Sequence, residues 1–142
     1  PRFHLDRRLT WGETKESAVE EVKQAVNNPD AKVEVLHYDG KAFTGLNYGM
    51  EKYYPTWKID EKAPVVQMGA ATFRELFGKE PLIDKWTFST NGIATNGIHK
   101  IPTIGFGPGN EVLAHAPDEK TPIDHLVAAS AFYAFFTHNI SE

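Results

Sequence analysis

The sequence contains no cysteine, no long apolar run and no excess of positive charge. Without cysteine the chain can form no disulfide, thiolate metal site or thiol nucleophile, so a metal would have to be held by histidine and carboxylate side chains. No apolar run approaches the ~18 residues needed to cross a bilayer, and the first residues do not resemble a signal peptide. We therefore expect a cytoplasmic protein that makes no membrane contact.

The charge and the composition further restrict the class of protein to which the chain can belong. The formal charge is −4, with acidic and basic residues interspersed, so the chain offers no basic surface that would gather a nucleic-acid backbone. Its 142 residues, 41% of them hydrophobic and 24% charged, suit a soluble globular domain of ordinary size. The chain has no initiator methionine and begins with strand-like alternation, which favours a piece of a longer protein.

The first residues have the pattern of a β-α-β unit. Residues 3–9 alternate as a strand, and Thr10 with Glu13 resembles a capping box, in which two side chains satisfy free backbone groups at a helix start. The helix that follows carries its apolar residues on one face, and residues 27–30 stop it before a second strand at 33–36. That face consists of Ala18, Val19, Val22, Ala25 and Val26.

Residues 39–63 show no periodicity and are rich in glycine and aromatic side chains. Long irregular stretches are usually functional or connect domains, and aromatic side chains give such a stretch something to pack against. We interpret these residues as a crossing between two structural units, with the domain boundary inside it.

Beyond the crossing the pattern predicts further helices and strands. A helix runs from Pro64 to Phe77 with Gly78 as its stop, one strand begins near Trp86, and residues 101–106 form a short buried strand. The interleaving of helices with four or five strands predicts a mixed α/β or α+β fold.

A third helix opens with Thr121 as its N-cap and Pro122 at its first helical position. Small residues on one side of this helix indicate close packing on a sheet. The predicted buried face consists of Ile123, Val127, Ser130, Ala131 and Ala134.

Six histidines are the candidate transition-metal ligands besides the carboxylates, and His115 is placed differently from the others. It lies in a loop after the glycine turn at 107–109 and beyond a buried strand, where α/β folds usually bind ligands. Asp118 or Glu119 could orient its imidazole by accepting the second N–H. A surface ion pair is the alternative. We expect the other five to be structural or surface residues: His4, His37, His99, His125 and His138.

Two further groups are candidates for substrate binding. A polar cluster at the end of a predicted strand could hold a carboxylate or carbonyl oxygen, with a simple turn as the alternative. It consists of Ser89, Thr90, Asn91 and Gly92. In a strand Arg7 and Arg8 would point to opposite faces, so that one could reach a cleft, with two surface positions as the alternative.

Four motifs resemble the zinc-dependent peptidase and deacylase family of acetylornithine deacetylase, succinyl-diaminopimelate desuccinylase and carboxypeptidase G. They are LDRRLTWGET at 5–14, KWTFSTNG at 85–92, GFGPG at 105–109 and AHAPDEKT at 114–121. The last three are most similar to the selenium-metabolism hydrolase subgroup. The resemblance covers nearly the whole chain and implies a C-terminal fragment of such an enzyme.

The resemblance also implies a domain organisation. Members of the family have a catalytic α/β domain interrupted by a ferredoxin-like lid, through which two subunits pair as a homodimer. Residues 1–38 would be the C-terminal part of the lid, 39–63 the hinge crossing and 64–142 the C-terminal part of the catalytic domain.

In this family two zinc ions, bridged by an Asp and a water, polarise an amide carbonyl while a Glu acts as general base. Their ligands are a His-x-Asp pair, a bridging Asp, a Glu-Glu pair and one late His, whose counterpart here is His115. The other ligands have no counterpart in the sequence. Glu20 and Glu21 are adjacent glutamates, but they lie inside an amphipathic helix and do not qualify as the Glu-Glu pair. We expect weak zinc binding and no activity from this chain alone.

Substrate binding is implied less completely. In relatives the Arg that ends an Asp-x-Arg pattern reaches a substrate carboxylate, and Arg8 corresponds to that Arg, with Asp6 as the first residue of the pattern. Many relatives also carry a Gly-Thr-Ser-Asp-Gly-Arg stretch that frames the substrate. Residues 89–94 take its place here and lack both its Asp and its Arg. The resemblance implies hydrolysis of an N-acyl amino acid or small peptide. The alternatives are a non-catalytic dimerisation or binding module, and a ligand-binding domain built on the aromatic crossing.

Overall fold

Helices provide most of the regular structure. In the computed structural model, which describes residues 1–140, the helices are α1 (Lys15–Val26), α2 (Pro64–Phe77) and α3 (Ile123–Ile140), and the strands are β1 (His37–Tyr38) and β2 (Met50–Glu51). The predicted mixed α/β class is confirmed. The chain divides into two compact units, Pro1–Trp57 and Lys58–Glu142. This division falls inside the predicted crossing, and the assignment of the units to a lid and a catalytic domain stays a prediction.

Helix α1 begins one turn later than the capping pattern suggested. Its N-cap is Thr14, whose hydroxyl accepts from the Ser17 N–H at 3.2 Å while the Ser17 hydroxyl accepts from the Thr14 N–H at 2.9 Å. Thr10 and Glu13 do interact, because the Glu13 carboxylate accepts from the Thr10 N–H at 2.5 Å and from its hydroxyl at 2.8 Å. They close a separate turn that precedes the helix.

The predicted β-α-β unit is wrong in its strands. Residues 3–9 and 33–36 form no strand. The regular pairing joins β1, which directly precedes the predicted crossing, to β2 inside it, and the two strands are antiparallel with His37 opposite Glu51. Alternating side chains suit a sheet face, but a strand also needs a neighbour for its backbone groups. In unit Pro1–Trp57 that neighbour comes from a hairpin, whose partners are close in sequence.

The core of unit Lys58–Glu142 lies between α2 and α3. Pro64 starts α2 and Gly78, at φ 60°, ends it, both as predicted. Phe132 of α3 stacks on Phe106 with ring centroids 3.9 Å apart, and Phe136 stacks on Phe132 at 5.7 Å. Residues 101–106, predicted as a strand, form none, and they reach this core through Phe106. No strand begins near the predicted position at residue 86 either.

The predicted buried face of α3 is wrong. Ile123 and Val127 are 80% and 65% exposed, whereas Ala129 and Phe132 are buried. Phenylalanine buries more apolar area than the small side chains on the predicted face, so the aromatic side of the helix turns inward. No helix within residues 1–140 has both the length and the apolar character needed to cross a bilayer.

Candidate functional site

The loop that carries His115 is built from a turn of 3-10 helix, Glu111–Leu113. Asn110 caps this turn by accepting from the Val112 N–H at 3.0 Å. Before it, Gly109 adopts φ 103° and donates its N–H to Nδ1 of His125 at 3.3 Å. The loop is thereby fixed to the first turn of α3.

His115 is exposed and has a left-handed backbone, with φ 63°. Its N–H donates to Oε2 of Glu119 at 3.0 Å, and its ring forms a T-shaped pair with the ring of Phe88, with centroids 6.4 Å apart. Within residues 1–140 its imidazole nitrogens make no hydrogen bond. Glu119 therefore lies beside His115, as predicted. However, its carboxylate accepts from the backbone N–H of His115 and not from the imidazole N–H that we expected it to bind. Asp118 makes no hydrogen bond within the described part of the chain.

Phe88 is held near His115 by a contact that the sequence did not suggest. Glu111 accepts from the Thr87 hydroxyl at 3.1 Å and from its N–H at 3.4 Å. Trp86, two residues before Phe88, packs so closely on Gly105 that a Cβ there would lie 2.4 Å from the indole nitrogen. The sequence does show Glu111 as an acidic residue just after the glycine turn. Its partner Thr87 lies 24 residues earlier, so the spacing of the sequence could not identify this contact.

The polar cluster at residues 89–92 lies in a turn, and its part in substrate binding stays a prediction. The Thr90 hydroxyl accepts from the Gly92 N–H at 3.1 Å, and Asn91 O accepts from two amides at the start of the π-helical segment Ile93–Ile98. The side chains of Ser89 and Asn91 are exposed and make no hydrogen bond within residues 1–140. The turn therefore leaves two polar side chains free within residues 1–140, Ser89 directly after Phe88 and Asn91 three positions after it.

The two arginines lie in unit Pro1–Trp57 and differ in their partners. Arg7 pairs with both Glu13 and Glu21. Arg8 is 78% exposed and contacts only Asp6, at 3.4 Å, among the described residues. Of the two guanidinium groups, the structure leaves Arg8 available for an external carboxylate.

The described residues do not assemble a metal site. Within residues 1–140 no three histidine, aspartate or glutamate side chains converge so that they could hold an ion. Glu20 and Glu21 project from α1, where Glu20 accepts from Gln24 and Glu21 accepts from Arg7, and their exclusion as the paired ligand stays a prediction. Among the described residues of this loop, the exposed imidazole of His115 is suitable as a single zinc ligand.

Known proteins resemble nearly the whole chain. Residues 9–139 match the family described as Peptidase family M20/M25/M40. Two curated relatives named Uncharacterized protein YgeY, from Escherichia coli strain K12 and Escherichia coli O157:H7, are each 52% identical over 132 residues. The match covers 92% of this chain and 33% of each relative, so the chain spans about a third of the length of these relatives. No solved structure matches the chain.

Proposed function

This chain belongs to peptidase family M20/M25/M40, and from that premise we propose that it contributes to a metal-dependent hydrolase of amide bonds. The observation that carries the proposal is the exposed imidazole of His115, which has no hydrogen-bond partner within residues 1–140 and sits on a loop with a fixed backbone. Such an imidazole is free to donate a nitrogen lone pair to zinc. We assign His115 as one metal ligand.

The other ligands of this centre have to come from polypeptide outside residues 1–140. One imidazole binds zinc weakly, because affinity comes from three or four converging ligands. The proposal therefore includes two zinc ions in the assembled enzyme and no amidase activity from the 142-residue chain by itself. Bound zinc supplies Lewis-acid polarisation of an amide carbonyl.

The substrate class that we propose is an N-acyl amino acid or a small peptide. Arg8 supports this because its exposed guanidinium group can clamp a carboxylate with two parallel hydrogen bonds. Ser89 and Asn91 offer a hydroxyl and an amide for substrate oxygen atoms, while Thr90 and Gly92 hold the turn that presents them. Pairing of two copies through the lid and a cytoplasmic location stay predictions.

A second candidate function is a non-catalytic dimerisation or binding module. The observation that favours it is the lack of three converging ligands within residues 1–140. The two functions differ in metal content, because a binding module retains no zinc through His115.

The test replaces His115 by alanine in the complete product of the gene that encodes this chain. We expect the zinc content to fall by about one ion per subunit and kcat for N-acyl amino acids to fall by at least roughly a hundredfold, since a ligand is lost. Metal analysis by mass spectrometry and steady-state kinetics measure both. His99→Ala is the matched control, because His99 is also exposed and its side chain makes no hydrogen bond within residues 1–140. Its backbone N–H donates to Ala94 O at 3.0 Å, and an alanine keeps that bond. Unchanged zinc and turnover in His115→Ala would contradict the proposal.

A further inference from the structure

The carboxylate of Glu119 accepts a hydrogen bond from the backbone N–H of His115. Glu119 Oε2 lies 3.0 Å from the His115 amide nitrogen, and His115 has φ 63°. Left-handed backbone is disfavoured for residues that carry a Cβ, because the Cβ approaches the following carbonyl oxygen. The conformation therefore has to be held by contacts elsewhere in the loop.

The loop returns Glu119 to His115 through two turns. Ala116 donates its N–H to Leu113 O at 3.0 Å, and Glu119 donates its N–H to Ala116 O at 3.1 Å. These turns bring the Glu119 side chain back over the amide of His115, which lies four residues earlier. A hydrogen bond from an amide to a carboxylate is stronger than one between neutral groups.

We propose that Glu119 is a positioning residue that sets the direction in which His115 presents its imidazole. The φ angle of a residue determines where its Cα–Cβ bond points relative to the loop. By holding the N–H, Glu119 keeps His115 left-handed, so that the ring leaves the loop towards Phe88 and into solvent. The inference rests on the proposed function, because positioning matters here only if His115 binds a metal.

The test compares Glu119→Ala, Glu119→Gln and Asp118→Ala in the complete gene product. Glu119→Ala removes the acceptor, so we expect amide exchange in a peptide containing His115 to accelerate at least tenfold and zinc affinity to fall by roughly tenfold to a hundredfold. Glu119→Gln keeps an oxygen acceptor and should recover most of both losses. Asp118→Ala removes a neighbouring carboxylate that makes no hydrogen bond within residues 1–140, and it should leave both measurements unchanged. A thermal melt shows whether each variant remains folded.

Each outcome decides a separate point. Normal exchange in Glu119→Ala would overturn the hydrogen bond, and faster exchange with normal zinc affinity would overturn the positioning role. Recovery by Glu119→Gln supports the role, whereas equal losses in the two Glu119 variants with normal melts would contradict it. If His115→Ala itself retains full zinc, the proposed function fails, and that result is distinct from a failure of Glu119 alone.

Discussion

The two units differ in the kind of interaction that holds them. In unit Lys58–Glu142 a row of phenylalanine rings fills the space between α2 and α3. In unit Pro1–Trp57 a single residue, Ala18, is buried, and the visible contacts are a capping box, ion pairs and a short hairpin. Apolar burial contributes more free energy than exposed ion pairs, so the stability of the second unit should resist changes of salt and pH that weaken the first.

Removal of the central ring should produce the largest change. Phe132→Ala leaves a cavity between Phe106 and Phe136, and we expect the free energy of unfolding of this unit to fall by about 3–5 kcal/mol. Urea denaturation followed by far-UV circular dichroism measures the loss. Phe135→Ala is the matched control, because this neighbouring ring is 43% exposed and should cost less than half as much. Equal losses would show that the aromatic row does not form the core.

A close contact beside the His115 loop should give an intermediate effect. Gly105→Ala places a Cβ 2.4 Å from the Trp86 indole nitrogen, and a rigid ring has to move to admit it. We expect a loss of about 1–3 kcal/mol with a changed near-UV circular dichroism signal. Gly107→Ala meets nothing within 4 Å and should be neutral or slightly stabilising. The packing is contradicted if the two alanine variants behave alike.

The helices were predictable from the sequence because their signals are local. Pro64 and Gly78 mark the ends of α2, since proline suits a first helical turn and glycine accepts the left-handed conformation that follows the last one. The strands were not predictable from the sequence. Residues 3–9 carry the right alternation of side chains but have no strand to pair with among the described residues. A strand depends on a partner that its own residues do not specify.

The candidate site was predictable to the same extent. His115 and Glu119 are neighbours in sequence, so their proximity could be read directly, whereas the left-handed backbone of His115 and the use of its N–H depend on the turns between them. The bond between Thr87 and Glu111 joins residues 24 positions apart and gives no local signal. The sequence could therefore predict contacts between residues that are close in the chain, but not the contact between Thr87 and Glu111, and the metal-binding role of His115 stays a prediction.

The smallest predicted effect is the pH dependence that Glu13 contributes to the stability of unit Pro1–Trp57. The pKa of Glu13 lies below its ordinary value, mainly because its carboxylate accepts from the Thr10 N–H, then from the Thr10 hydroxyl, with a further contribution from Arg7. Folding therefore favours the ionised form. The associated stability is complete above the unfolded pKa of about 4.3 and is lost as pH falls through the lower folded value.

Thermal melts of the wild type and Glu13→Gln between pH 6 and pH 3 measure this contribution. The wild type should lose more stability across that range, because the glutamine variant has no proton to take up at this position. Added salt should reduce only the part that comes from Arg7, since screening acts on exposed ion pairs and leaves the backbone hydrogen bond in place. Parallel declines in the two proteins would show that the turn at Thr10 does not respond to acid, and the contrast between the units would then rest on packing alone.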